Sequence, residues 1–242
     1  MRKVVVPILV VIILGASFIL VANIISNTAV AIKNKGFVTV KGFARQKITS
    51  DLAVFKATLV QENKDLKACY EKLIDDRGKV EDFLEKLGFS QERIKLYPVQ
   101  IKEIYKRNER GYKTEKLSGY RLTQNIEIES KNVNKIEKLS IEIAGVMNEG
   151  VKMFVAPPEY IYTKLDDLKV EMIGKATANA KERAETIAKK GRFRLGPIAS
   201  VRVGIFQITP VHSTDISGYG INDTTSIEKE IKSVVEIKYF VK

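Results

Sequence analysis

Cysteine and histidine are nearly absent from this chain: there is one of each in 242 residues, Cys69 and His212. A lone cysteine excludes an intramolecular disulfide, so stability must come from packing even in an oxidising compartment. The absent motifs exclude more. No P-loop, H-E-x-x-H, G-x-S-x-G or paired C-x-x-C occurs. Each of those spacings exists because a phosphate, a zinc ion or a strained nucleophile requires it. Negative charge is also in short supply, with 29 Asp and Glu against 41 Lys and Arg, for a net +12.

The most distinctive stretch is N-terminal. Arg2 and Lys3 precede an uncharged segment from Val4 to Ile32, densest over Val4 to Ala22 (VVVPILVVIILGASFILVA). About 20 apolar residues suffice to cross a bilayer's hydrocarbon core. Residues 1–35 are therefore read as an N-terminal transmembrane helix and linker, contacting the membrane directly. The leading basic residues leave the N-terminus in the cytoplasm. The expected location is the inner (cytoplasmic) membrane, single-pass, with residues 36–242 in the periplasm or extracytoplasmic space. Ala29-Val30-Ala31 is a small-x-small site that leaves open the alternative of a cleaved signal peptide, although such peptides have apolar cores of only about 7–15 residues.

Removing Arg2 and Lys3 leaves the exported part at +10. Export argues against nucleic acid as a partner and favours anionic lipid headgroups or acidic envelope polymers. The simpler alternative is that lysine is abundant on solvated faces. Cys69 falls on the apolar face of a predicted helix, which makes it a buried, inert thiol.

Periodicity outlines the exported part. Gly36 to Ala44 (GFVTVKGFA) alternates as a strand interrupted by Gly42, and Leu52 to Gln61 is a second strand. Asn63 or Asp65 caps a helix carrying Leu66, Cys69, Leu73, Val80, Leu84 and Leu87, stopped by Gly88. A strand from Arg93 to Tyr105, interrupted by Pro98, leads through a basic hairpin tip to a return strand over Gly119 to Glu129. A second strand–helix–strand unit echoes the first: Asn132 caps a helix with Val133, Ile136, Leu139 and Ile143, and a strand at Lys152 to Val155 precedes Pro157-Pro158. The two βαβ-like halves are expected side by side. A long helix over Lys164 to Lys190 has Thr163 as its predicted cap, Asp166 at N3, and Gly191 as its stop. Its Ala176, Ala180, Ala184 and Ala188 form a smooth ridge for close packing. Strands at Ile198 to Ile208 and Ser233 to Val241 flank a polar loop. The fold class is α+β: βαβ-type units forming mainly antiparallel sheet, with helices packed on one face.

Chemistry-bearing residues are few. His212 lies near Ser213 and Asp215, a triad on paper, yet neighbours in one loop lack the rigid support that a catalytic constellation needs. Asp166, Asp167 and Glu171 could gather a divalent cation, but acidic residues in a first helical turn are expected from the helix dipole alone. The best contact surface is the hairpin tip, where Lys106, Arg107, Arg110, Lys113 and Lys116 are interleaved with Tyr105 and Tyr112. Such a tip suits anionic surfaces, although a merely solvated tip carries the same residues.

Three segments together resemble a known family. Gly36-Phe37-Val38-Thr39-Val40-Lys41-Gly42 is similar to the G-x-hydrophobic-T-V-x-G strand of SIMPL-domain proteins. Gly119-Tyr120-Arg121-Leu122-Thr123-Gln124-Asn125 resembles their G-Y-x-x-x-x-N strand. Ala178 to Ser200 (ANAKERAETIAKKGRFRLGPIAS) resembles their Ala-rich helix, G-x-x-L-G turn and following strand. Order and spacing agree over residues 36–242, read as one SIMPL-like extracytoplasmic domain. Ser50-Asp51 departs from the pattern, standing where a Pro-Asp is common. The resemblance implies an exported envelope protein, periplasmic or membrane-associated; some bacterial members are linked to stress defence and some are surface antigens. It brings no catalytic residues.

The expected function is that of a non-enzymatic, membrane-anchored envelope protein that self-associates as a homo-oligomer or binds envelope components, with stress protection as its setting. No catalytic residue, metal site or cofactor is assigned. The alternative is an extracytoplasmic hydrolase or metal-dependent enzyme using His212 or the Asp166/Asp167 cluster.

Overall fold

The computed structural model of the chain describes residues 15–26 and 36–242. Residues 15–26 form helix α1, followed by β1 (Phe37–Thr49), β2 (Leu52–Asn63), α2 (Leu66–Lys86), a 3-10 turn at Gln91–Arg93, β3 (Ile94–Leu96), β4 (Gln100–Arg107) and β5 (Lys113–Ser130). Next come α3 (Val133–Glu142), α4 (Ala144–Asn148), β6 (Met153–Val155), β7 (Glu159–Ile161), α5 (Leu165–Gly191), β8 (Leu195–Val203), β9 (Gln207–Pro210), β10 (Ile221–Asn222) and β11 (Glu228–Val241).

The transmembrane helix expected at the N-terminus is not upheld. Among the described residues no helix is long and apolar enough to cross a membrane. Residues 1–14 of the apolar segment and the Ala29-Val30-Ala31 site lie outside the described residues.

The folded chain divides into two compact units. The first comprises Arg45–Lys169 and Phe206–Lys232. Its six-stranded sheet has the order β3-β5-β2-β6, with β4 also on β5 and β7 also on β2. β2 and β5 are antiparallel from Ala53↔Ser130 to Asn63↔Tyr120. Since β3 is antiparallel to β5, and β6 to β2, each strand–helix–strand crossover spans the first strand of the other. The two βαβ units are therefore interleaved, in a split β-α-β-β-α-β arrangement, rather than side by side.

Two-residue alternation along the strands places Ala53, Phe55, Ala57 and Leu59 of β2 on the helix side with Leu122, Ile126 and Ile128 of β5. They form a core with Cys69, Leu73, Val80 and Leu84 of α2 and Val133, Ile136 and Leu139 of α3. Each large apolar side chain buried there stabilises the unit by about 1.5–3 kcal/mol. Burial pushes the Cys69 thiol above its ordinary range, which agrees with an inert role. Asp76, fully buried on α2, is neutralised by Lys72 Nζ at 2.6 Å and accepts a hydrogen bond from Gln61 Nε2.

Prolines punctuate this sheet because they cannot donate to a ladder. Pro98 separates β3 from β4, and Pro157-Pro158 separate β6 from β7. Gly119 permits a close crossing: a Cβ there would sit 2.6 Å from the carbonyl oxygen of Asn63. Asn125, six residues on, accepts a hydrogen bond from Thr58 Oγ1 at 2.8 Å.

Helix ends follow the sequence with two exceptions. Asp65 Oδ1 caps α2 through Ala68 N at 2.8 Å, and Asn132 Oδ1 caps α3 through Lys135 N at 3.1 Å. Gly88 (φ 78) lets Phe89 N reach Leu84 O at 3.0 Å, closing α2 in a Schellman motif. Thr163 does not cap α5: its N–H donates to Asp51 Oδ1 at 2.7 Å and its hydroxyl to Asp51 Oδ2 at 2.8 Å. At the far end the left-handed residue is Arg192 (φ 58), one position after Gly191, and Phe193 N donates to Ala188 O at 3.1 Å.

The second unit comprises the described residues up to Ala44, together with Val170–Ile205 and Ser233–Lys242. Within it β11 lies between β1 and β8, and the ridge of Ala176, Ala180, Ala184 and Ala188 is buried. A Cβ at Gly42 would meet Ala176 O at 2.0 Å and Ala180 N at 2.5 Å, so only glycine permits this approach of α5 to β1. Asn179 Oδ1 accepts from Phe43 N at 3.1 Å, and Arg183 Nη1 donates to Lys41 O at 3.0 Å. β8 pairs with β11 through Val203↔Val235 and Val201↔Ile237. A Cβ at Gly196 would meet Phe240 O at 3.0 Å.

Candidate functional site

The basic tip is a built turn joining β4 to β5. Asn108 Oδ1 accepts from Arg110 N at 3.1 Å and Tyr112 N at 3.0 Å, as an Asx turn does. Gly111 takes φ 81, a left-handed conformation that glycine adopts freely, and its N–H donates to Asn108 O at 2.8 Å. Thr114 Oγ1 closes on Lys106 O at 2.8 Å.

Two of the five basic side chains are engaged within the turn itself. Arg107 Nη1 donates to Gly111 O at 2.7 Å, and Lys113 Nζ stands 4.0 Å from the centroid of the Tyr105 ring. The Tyr105 hydroxyl donates to Glu103, and that hydrogen bond holds its pKa above the usual phenol value. Lys106, Arg110 and Lys116 are exposed and form no ion pair among the described residues. Strand alternation puts Lys106 and Lys116 on one face of the hairpin and Tyr105, Arg107 and Lys113 on the other. Three cations without ion pairs among the described residues, on an ordered turn with Tyr112 exposed beside them, present the chemistry that attracts anions.

The other sequence candidates do not assemble. His212 is exposed with φ 69. The Ser213 hydroxyl donates to Asp215 Oδ2 at 2.9 Å rather than to an imidazole, so no base is held against the would-be nucleophile. Asp166 pairs with Lys169 at 3.1 Å, and Glu171 with Lys175 at 2.5 Å. Asp167 joins neither pair. No group of three or more metal-binding side chains occurs among the described residues. An open groove of about 830 Å³ lined by Arg93, Lys95, Lys135, Glu92, Glu127 and Glu129 carries mixed charge, with Lys95 already on Glu127 at 3.2 Å.

Sequence reading missed Lys229, at the start of β11 in the first unit. It is 2% exposed, and its Nζ donates to the backbone carbonyls of Tyr160 and Asp223. Burial pulls its pKa below the ordinary lysine value, and the charge of Asp223 opposes that shift. A signal was present. β11 begins at Glu228, five residues before the strand expected from Ser233, and Lys229 shares the two-residue register of Ile231, Val235 and Ile237, all buried.

Fold and site define a mixed α+β protein with antiparallel sheets whose candidate surface is an ordered basic turn, without an assembled catalytic constellation among the described residues. The sequence model of the SIMPL family, described as a protein of unknown function (DUF541), matches residues 38–239. The chain belongs to that family, as its three motif segments indicated. Comparison with curated proteins finds no match.

Proposed function

We propose that this chain is a non-enzymatic SIMPL protein that works outside the cytoplasm and binds anionic envelope components through the β4–β5 turn. The observation that carries the reading is the set of unpaired cations Lys106, Arg110 and Lys116 on a turn ordered by Asn108 and Gly111. Arg2 and Lys3 followed by an uncharged stretch support export. Near an anionic surface each such cation contributes about 1 kcal/mol, so three contribute about 3 kcal/mol, on the order of 100-fold in affinity.

The test is cosedimentation of the full chain with vesicles of anionic or zwitterionic phospholipid and with acidic wall polymer. Changing Lys106, Arg110 and Lys116 to Gln is expected to weaken the anionic component about 100-fold and to flatten its salt dependence. Equal binding by parent and variant at low salt refutes the proposal.

A specific observation favours self-association as a second reading. Among the described residues β8 has a partner strand on one side, β11, and it exposes Ile198, Val201 and Val203. Unpaired strand edges with apolar side chains are templates for pairing with another chain. Light scattering after size exclusion tests it: a Val201→Lys variant is expected to shift an oligomer toward monomer, and a parent chain that is monomeric at all concentrations rules it out.

A further inference from the structure

Lys229 is a buried cation that lacks a contact anion. No carboxylate lies within 4.0 Å of its Nζ among the described residues. An ammonium has three N–H donors, and the carbonyls of Tyr160 and Asp223 take two. The Asp223 carboxylate acts on the amine through its charge but makes no contact with it. Its Oδ1 accepts from Thr225 N at 2.8 Å and Thr225 Oγ1 at 2.7 Å, while its Oδ2 is buried without a hydrogen-bond partner. A buried donor is costly when left unmade, and one N–H of the amine has no partner among the described residues.

Beside the amine lies a cavity of about 180 Å³ walled by Ile48, Leu165 and Ile208, with Asn222 and Thr224 among its polar lining residues. Apolar walls with a few convergent polar groups are the usual make-up of a small-molecule site. A cavity of about 150 Å³ accommodates a benzene ring, which sets the size of the guest. The amine, already faced by the Asp223 charge, limits the guest to one negative charge: a dianion would bury a second with no partner.

We propose that this cavity binds a small monocarboxylic acid, its carboxylate on Lys229 Nζ and its apolar tail against Ile48, Leu165 and Ile208. The site is separate from the basic turn and stands whether or not that turn binds envelope components. Pairing with a carboxylate favours the charged amine, so where Lys229 is partly neutral in the free protein, binding must draw in a proton.

Benzoate and isovalerate are the probes, titrated calorimetrically into the full chain, with benzyl alcohol as the uncharged counterpart of benzoate. One-to-one binding of at least one acid is expected, with benzyl alcohol at least about tenfold weaker than benzoate. Lys229→Met is expected to remove that discrimination. Because this variant leaves two carbonyls unpaired and can unfold, a second measurement uses the unaltered chain. In that chain the affinity for benzoate is expected to fall at least about twofold between about pH 7 and the ordinary lysine pKa of about 10.4, as the amine loses its charge, while that for benzyl alcohol holds. Absence of binding by both acids at about 10 mM, equal affinity for benzoate and benzyl alcohol, or a benzoate affinity that does not fall over that pH range overturns the proposal.

Discussion

Replacing Gly42 with alanine tests how α5 meets β1. The added Cβ would lie 2.0 Å from Ala176 O, 2.5 Å from Ala180 N and 2.7 Å from Ala180 Cβ, whereas ordinary contact begins at 3.4 Å. Two of these atoms are helix backbone and cannot rotate aside. The helix must therefore lift by at least the 1.4 Å difference between 3.4 and 2.0 Å. A gap of 0.5–1 Å already forfeits about a quarter to a half of a dispersion contact, and the ridge of Ala176, Ala180 and Ala184 is fully buried. Overpacking of this kind costs about 1–3 kcal/mol. The hydrogen bonds from Phe43 N to Asn179 and from Arg183 to Lys41 O span the same contact and add about 1 kcal/mol each. The expected loss is about 3–5 kcal/mol. With a urea slope of about 2–3 kcal/mol per molar, the unfolding midpoint drops by about 1–2 M. Gly174→Ala is the control: it lies inside α5 with nothing within 4 Å of the added Cβ, so it should raise stability by about 0.5–1 kcal/mol. If Gly42→Ala unfolds within about 0.5 kcal/mol of the parent, the close approach of α5 is wrong.

Two other substitutions probe the first unit. Gly119→Ala drives a Cβ to 2.6 Å from Asn63 O and is expected to cost about 1–3 kcal/mol, read as a lowered melting temperature; an unchanged melting temperature refutes the crossing. For Asp51, burial raises the carboxyl pKa, but the two hydrogen bonds from Thr163 outweigh burial and hold it below 3.8. Its contribution to stability is thus present above the unfolded value of 3.8 and lost as the pH falls through the lower folded value. Asp51→Asn should be less stable than the parent at about pH 7, with the difference shrinking at about pH 3. Urea midpoints at both pH values check this, and a pH-independent difference contradicts it.

Much of the secondary structure could be read from local spacing. The three- and four-residue recurrence of Leu66, Cys69, Leu73, Val80 and Leu84 defines α2, and Asp65 and Gly88 delimit it because unsatisfied helix ends need local partners. Pro98 divides its strand by the loss of one N–H. The Gly42 and Gly119 motifs were visible as glycines, but what they accommodate, the backbones of Ala176 and Asn63, was not. Thr163 had the right residue type for a cap, yet Asp51, 112 positions away in sequence, took its hydroxyl. The basic turn was legible because its charges are contiguous. Which of them stay free was not, since Arg107 and Lys113 are engaged through contacts across the turn.

By itself the sequence determined the family, the α+β class, the order of the elements and most of their ends, because these depend on residues within a few positions of one another. Tertiary structure alone decided that the two βαβ units interleave, since β2 and β5 find each other across roughly sixty residues, as in the Arg121–Glu62 pair at a separation of 59. Finally, it brought Tyr160, 69 positions away from Lys229, against the buried amine, giving a partner to a lysine whose strand register marked it only as inward-facing.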